Sequence, residues 1–464
     1  MFTKKRLLLK EILKFAIPII LAEGSTTVVM FTDRFFLSKL GKEYLIAASS
    51  AWIILHTFII SLLGAICLYT ITLVAQYYGA KKYSKCSLAL TQGIIISLVG
   101  YTIILILTYF NWGAIFKLFD HDPNLIKLEI TFLHFLSYIT IFFLLEGTLS
   151  CFFIGTGKSY IVMIANTIGV IINVPLNYLL IFGKLGLPAF GFVGSVYATS
   201  ISSITVCLIL LFNYLRQHNW QKYNISSSFH FDFSMIKKLI RHGGFSGIER
   251  FINMSCFNLF LQLFIGYGIN IAYAMNIIYI WITIIYITLI GLHQTILSLT
   301  AQNIGNKKHI ENAIQTAYAG LMICAIYTII IGTIFLSFSK YLIALPILGQ
   351  NMFDYNNVIT IAENLAMIMI IYMGLNGFVL VFDGLLRGAG DTYWVMIITS
   401  TINTVFLAIE FYLIRILHAD YLLTFGMLII LMFGLLLGLL WRFKVGKWQS
   451  INLISSKMNI AKIY

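Results

Sequence analysis

Charge is the scarcest commodity in this sequence. Asp, Glu, Lys and Arg together make up 10% of 464 residues, against 60% hydrophobic residues. No soluble domain keeps that balance over such a length. Paired cysteines are missing as well. Cys67, Cys86, Cys151, Cys207, Cys256 and Cys324 are scattered, and none forms a Cys-x-x-Cys pair, which leaves them as packing residues with no redox or metal role. The nine histidines, His56 and His293 among them, never fall at paired metal-ligand spacing. Gly155-Thr-Gly-Lys-Ser159 ends like a phosphate-binding loop, but Phe152 stands where the first glycine belongs, so no ATPase follows. Converging Ser/His or His/Asp sets are absent, and the chain reads as no enzyme.

What remains is apolar length. About a dozen runs of 18 or more apolar residues can be drawn, each enough to cross the hydrocarbon. The pattern predicts an all-α polytopic membrane protein with twelve spans, at 12–38, 45–78, 87–110, 125–153, 159–183, 190–215, 236–266, 271–303, 310–338, 355–386, 392–416 and 420–443. The basic, then apolar N-terminus has no small-residue cleavage site, so it reads as a retained first span. The net charge of +14 is not a nucleic-acid signal. With the N-terminus inside, the inner segments hold most of the Lys and Arg, from Lys4, Lys5 and Arg6 to the cluster after Arg442. The outer segments hold only Lys39, Lys42, Lys117, Lys127, Lys184, Lys340 and Arg415. That is the positive-inside pattern of a multi-pass cell (inner) membrane protein with both termini cytoplasmic. The basic surplus then lies against anionic lipid heads.

The first span is the most informative. Glu23, Thr26, Thr27, Met30 and Asp33 share roughly one quadrant of its helical wheel. A carboxylate at mid-membrane costs roughly 2.5–3.5 kcal/mol on the gentlest scale, so intramembrane acids default to function. Pro18 removes one backbone hydrogen bond and invites a bend below that stripe. In the fifth span Asn166, Asn173 and Asn177 lie on one face, and Asn173 and Asn177 share the depth of Asp33 in the outer half. An acid among amides can be hydrogen-bonded whether protonated or ionised, which makes Asp33, Asn173 and Asn177 a candidate proton or cation site. Glu23, Glu249 and Asp383 are further candidates for ion coupling or substrate binding. Glu249 and Arg250 form a candidate ion pair between helices, and Asp383 with Arg387 a local i,i+4 brace. Arg250 needs a carboxylate, which Glu249, Asp383 or Glu363 could supply. Glu146 and Glu410 are intramembrane acids without an assigned role.

The chain repeats itself. Thr72-Leu-Val-Ala-Gln-Tyr-Tyr-Gly-Ala-Lys-Lys82 matches Ser298-Leu-Thr-Ala-Gln-Asn-Ile-Gly-Asn-Lys-Lys308, 226 residues on. Gly155-x-Gly157 with Tyr160 matches Gly388-x-Gly390 with Tyr393, 233 residues on. Six spans per copy make a parallel repeat about an axis along the membrane normal. The expected organisation is an N-terminal six-helix bundle (1–215), a linker (216–235), a C-terminal six-helix bundle (236–445) and a cytoplasmic tail (446–464).

Three segments carry a family resemblance. They are Asn173-Val-Pro-Leu-Asn-Tyr-Leu-Leu-Ile-Phe-Gly183 with Gly186 to Thr199, Asp383-Gly-Leu-Leu-Arg-Gly-Ala-Gly-Asp-Thr392, and Pro18 followed fifteen residues later by Asp33. Together they resemble the multidrug and toxic compound extrusion (MATE) family, closest in motif to its NorM-like bacterial branch. The resemblance implies a secondary antiporter. Such a protein exports small amphipathic, often cationic, organic compounds by alternating access, in exchange for H⁺ or Na⁺ and with no other cofactor. Its partners would be those small molecules and the membrane lipids, with no nucleic acid, and it would act as a monomer. Asp33 would be the coupling acid and Pro18 the hinge. The sequence departs from the family's sodium-coupled branch, whose C-terminal acids align near Met254 and Asn376, and Asn177 fills a position that is Asp in one branch. A rival of the same architecture is a lipid or oligosaccharide-lipid flippase. That activity would want a cationic cluster for pyrophosphate, and the spans offer only Arg34 and Arg250.

Overall fold

The computed structural model of the chain describes residues 2–118, 121–306, 310–345, 356–451 and 453–454. Among them no strand forms, and the helices run in order. The first half contains α1 (Phe2–Leu40), α2 (Lys42–Ile54), α3 (Ser61–Leu68), α4 (Thr70–Gly79), α5 (Tyr83–Thr108), α6 (Trp112–Leu118), α7 (Pro123–Gly155), α8 (Ser159–Phe182) and α9 (Phe192–Leu215). A short α10 (Gln217–Lys222) follows. The second half contains α11 (Phe233–Ile265), α12 (Ile269–Gly305), α13 (Ile310–Ala344), α14 (Asn356–Ala389), α15 (Thr392–Arg415) and α16 (Tyr421–Val445).

Eleven described helices are long and apolar enough to cross a membrane. The twelfth crossing is α11. Its 33 residues rise roughly 50 Å at 1.5 Å per residue, but Lys237, Lys238, Arg241, Glu249 and Arg250 lower its hydropathy. The second crossing is not the single helix 45–78 that its apolar run suggests. It starts at Lys42, turns as a π-helix over Leu55–Ile60 and breaks at Tyr69. In the ninth crossing α13 continues to Ala344 through non-helical backbone at Phe338. The first helix stays one helix through Pro18. Three of the scarce acids serve as N-caps. Asp122, Asp232 and Asp420 accept from the backbone N–H groups of Asn124, Met235 and Leu422, satisfying donors that a helix start otherwise leaves open.

Apolar packing divides by halves, and α1 straddles the seam. Its Ile12 and Ala16 belong to the core built by the C-terminal helices, whereas Ile19 and Ala22 belong to the inner core of the N-terminal bundle. Leu37 joins that bundle's other core, with Ala47, Leu55 and Phe132. The connection between the halves is partly ordered by α10 and a 3₁₀ turn at Ile225–Ser228, and α11 begins at Phe233, three residues before the expected start of the second bundle. On the same face of the molecule a buried pair, Arg442 Nε to Asp391 Oδ2 at 2.6 Å, joins α16 to the turn before α15. Burial pushes the Asp391 carboxyl up, and the guanidinium opposes it.

The repeated segments meet each other. Gln76 Nε2, at the end of α4, donates to the carbonyl of Gly388 at 2.9 Å. Gln302 Nε2, at the end of α12, donates to the carbonyl of Gly155, also at 2.9 Å. Gln76 and Gln302 are repeat equivalents, and so are Gly155 and Gly388, so the two bonds are related by the pseudo-two-fold axis. They close the face on which α1 begins. Gly79 and Gly305 make this approach possible, since a Cβ on either would run into the main chain of Gln302 or Gln76. Gly79→Ala is therefore expected to part the two halves at this face. A single cysteine placed at buried Thr72 in a Cys-free background should then react several-fold faster with a maleimide supplied to that face. An unchanged rate would mean that the contact does not hold the face shut.

Candidate functional site

Asp33 sits near the far end of α1, half-buried, between α8 and α9. Its Oδ1 accepts from Asn177 Nδ2 at 2.7 Å, and its Oδ2 accepts from Thr199 Oγ1 at 3.0 Å. Asn173 supports both partners. Its Oδ1 accepts from Asn177 Nδ2 at 3.0 Å, and its Nδ2 donates to Thr199 Oγ1 at 3.2 Å. Asn173 and Asn177 are fully buried. One polar atom of the cluster has no partner: Asn177 Oδ1 is buried and unbonded.

A register of helices builds this site. Ser159 Oγ donates to the Phe15 carbonyl, Asn166 Nδ2 to the Ala22 carbonyl and Asn177 Nδ2 to Asp33. All three pairs are 144 residues apart. A constant separation means that α1 and α8 run parallel, with the Asn face of α8 laid along the polar stripe of α1. Asn166 therefore belongs to a lower level and takes no part at Asp33.

The stripe on α1 does not form one site. Glu23 lies ten residues before Asp33, roughly 15 Å down the helix, and it turns to the other half. Its Oε1 accepts from Gln294 Nε2 of α12 at 2.7 Å. Glu146 of α7 and Arg250 of α11 lie within electrostatic reach of Glu23. Arg250 and His56 line a cavity of about 110 Å³ between α3, α7 and α11, together with Ser61 and Phe143. The π-turn carries His56 and stacks its ring on Trp52 at 5.5 Å. Inserted turns of this kind re-aim side chains at functional positions.

Glu249 and Asp383 come together, but through a residue other than the expected one. Arg387 Nε donates to Asp383 at 2.7 Å, and Arg387 Nη1 to Ser246 Oγ at 2.8 Å. Its Nη2 pairs with Glu249. His293 Nε2 lies 2.7 Å from Asp383 Oδ2. The expected Glu249–Arg250 pair is thus corrected. Consecutive residues point about 100° apart on a helix, so Glu249 faces α14 while Arg250 faces the cavity. Glu249 and Asp383 already hold Arg387, and neither is the carboxylate beside Arg250. Glu363 instead accepts from Ser339 Oγ at 3.4 Å. The Asp383–Arg387 brace exists and is one arm of a network across α11, α12 and α14. This network lies toward the face where α1 begins, well away from Asp33.

Two residues were missed by sequence reasoning, Thr199 and Gln294, and for His293 the partner, Asp383, was missed. Thr199 closes the segment Gly186 to Thr199 that carries the family resemblance, and that was its only signal. The hydrogen bonds rank the amides. Asn177→Ala removes a direct partner of Asp33, whereas Asn173→Ala removes a support one step away. One hydrogen bond is worth roughly 1 kcal/mol, so Asn177→Ala should weaken ion-driven export about five- to tenfold, and Asn173→Ala less. Initial export rates in proteoliposomes check the order, and a reversed order would remove Asn177 from the site.

The MatE family model matches residues 18–179 and again residues 246–412. A probable multidrug resistance protein NorM of Pasteurella multocida is 25% identical over 395 residues, covering 84% of this chain and 82% of the relative. Multidrug resistance protein MdtK of Photorhabdus laumondii is 26% identical over 396 residues, covering 84% of each. The fold matches the crystal structure of the eukaryotic MATE transporter AtDTX14, with a TM-score of 0.83 at 17% identity over 96% of this chain and 97% of the other. It also matches a superfamily transporter of Pyrococcus furiosus, with a TM-score of 0.79 at 18% identity over 95% of this chain and 97% of that one. One family model matching twice, once in each six-helix half of a multi-pass membrane protein, shows that the chain belongs to the MatE family.

Proposed function

We propose that this protein is a secondary antiporter of the cell membrane that exports small amphipathic, cationic organic compounds in exchange for protons. The names of its relatives support multidrug export. The Asp33 cluster carries the choice of coupling ion. Both oxygens of Asp33 are engaged by hydrogen-bond donors, whereas a hard cation wants several oxygens turned toward it. The unbonded Asn177 Oδ1 is the acceptor that a protonated Asp33 needs once the amide turns over. The same cluster thus serves the carboxylate and the acid. A proton and an organic cation compete for one carboxylate, and that antagonism couples their movements. Pro18 gives α1 freedom to bend as the charge changes.

In this reading the chain acts as a monomer with both termini cytoplasmic and the closed face inside. The bundles divide in the stretch 216–235. The coupling experiment uses proteoliposomes loaded with a fluorescent organic cation, under an imposed proton or sodium gradient, one at a time. Export under the proton gradient alone is expected. Export under sodium alone would replace the coupling ion, and lipid scrambling without export would favour a flippase. Impermeant maleimide should reach single cysteines at Lys42, Asn124 and Lys184 from outside, and should not reach those at Ser84 and Asn224. The matching positions Lys307 and Asn351 lie outside the described residues.

A further inference from the structure

The C-terminal bundle holds a carboxyl that nothing above uses. Glu410, on α15, is fully buried, at 0% exposure, and neither of its side-chain oxygens has a hydrogen-bond partner. An ionised carboxylate in such surroundings is far too costly without compensation, so the group there is a neutral carboxylic acid. Its position is not arbitrary. The 233-residue step that maps Gly155 onto Gly388 also maps both ends of α8, Ser159 and Phe182, onto both ends of α15, Thr392 and Arg415. The same step maps Asn177 onto Glu410.

The surroundings repeat with the roles exchanged. His242 of α11 meets Thr392 of α15 at 3.5 Å, Phe245 meets Tyr393 at 5.2 Å between ring centres, and Phe260 meets Phe406 at 5.6 Å. The two helices therefore run parallel, as α1 and α8 do in the other half. There the acid is on α1 and the amide on α8. Here the acid is on α15, and α11 brings Phe264, whose ring meets that of Phe425 of α16 at 5.7 Å between centres, tilted by 55°. Tyr267, in the turn after α11, lies within electrostatic reach of both Glu410 and Asp420, the latter just before α16. Tyr267 donates to the Ala419 carbonyl at 2.7 Å. Deeper on α11 lies Cys256, and Arg415 lies outward beside Gly266. No cation among the described residues pairs with Glu410.

We propose that Glu410 is a second proton-binding carboxyl, placed in the C-terminal bundle at the repeat position of Asn177. Each half then carries one proton site in its outer part, with the acid on the first helix of one bundle and on the fifth helix of the other. As a proton-binding site Glu410 stands on its own surroundings; only its use in exchange rests on the antiport reading.

The test is infrared difference spectroscopy on the full-length protein in lipid nanodiscs, acid minus alkaline. A protonated-carboxyl C=O band that changes with pH should appear in wild type and persist in Asp33→Asn. It should vanish in Glu410→Gln, and it should shift without vanishing in Glu410→Asp, which guards against a variant that folds poorly. Survival, in the Asp33→Asn/Glu410→Gln double variant, of the band that Asp33→Asn leaves in place overturns the proposal. So does a Glu410 band that keeps constant intensity at every pH, since an acid that never releases its proton is only structural. Neither readout requires transport. Failure of gradient-driven export with the band intact would overturn the antiport reading and leave the proton site standing.

Discussion

Asp33→Asn is expected to insert and fold normally and to lose gradient-driven export entirely. The substitution keeps the size of the side chain. Its carbonyl still accepts from Asn177, and its new amide nitrogen can donate to Thr199 Oγ1, which already accepts from Asn173 at 3.2 Å. The rearrangement costs about one hydrogen bond, roughly 1 kcal/mol, and melting in detergent should move little. What disappears is the exchangeable proton. A gradient of one pH unit carries ~1.4 kcal/mol per proton, a tenfold concentration ratio. Wild type should therefore build up to about tenfold for each proton exchanged, and Asp33→Asn should level near unity. Binding of the organic cation should weaken as well, since the amide offers it no charge. Wild-type export by Asp33→Asn under a proton gradient would transfer the coupling role to Glu23, Glu249, Asp383 or Glu410.

Replacing Arg387 by Met should be the most destabilising single change outside the apolar cores. The guanidinium is shared among Asp383, Glu249 and Ser246, and its side chain is only 13% exposed. Met fills the volume but leaves two buried carboxylates facing each other. Breaking a buried pair by removing one partner costs about 3–5 kcal/mol, because the remaining charge has no compensation. Two acids lose their cation here, with only His293 left beside Asp383 and the Asn253 amide, at 2.8 Å, beside Glu249. Arg387→Met should therefore melt much earlier or fail to accumulate, and Arg387→Lys, which keeps the charge but not the planar fork, should fall between. Adding Glu249→Gln to Arg387→Met should restore part of the loss, because it removes one stranded charge. A double variant no better than the single would show that Glu249 and Arg387 do not act as a pair.

The fold was more legible than the site, and the reason is periodicity. Twelve spans follow from hydrophobic run lengths and charged punctuation, both of which are local properties. Even α11, too charged to pass on hydropathy, is recognisable because its length and place in the alternation require a crossing. The Asn face of α8 and the polar stripe of α1 are legible for the same reason, as repeats near 3.6. The partners of those faces are not. Thr199 reaches Asp33 only because α9 folds back beside α8. Glu23 turns away from Asp33 because α1 lies on the seam, with Ile12 and Ala16 in one half and Ile19 and Ala22 in the other. Arg387 shows both cases in one residue. Its bond to Asp383, four positions away, could be anticipated from the sequence. Its bond to Glu249, 138 positions away, required the packing of α11 on α14.

The paired glutamine bonds at the closed face bear on how fast the molecule can cycle. Both are neutral amide-to-carbonyl contacts, each worth roughly 1 kcal/mol. Because a two-fold rotation relates them, a rigid rocking of one half against the other lengthens them together, and neither can act as a hinge for the other. Their combined hold of ~2 kcal/mol biases the resting population only about thirtyfold. Ion pairs or a disulfide at the same place would trap the protein in one state. Two weak, matched contacts leave the opposite state within reach of thermal fluctuation, so that occupancy of the cleft can decide which side is open.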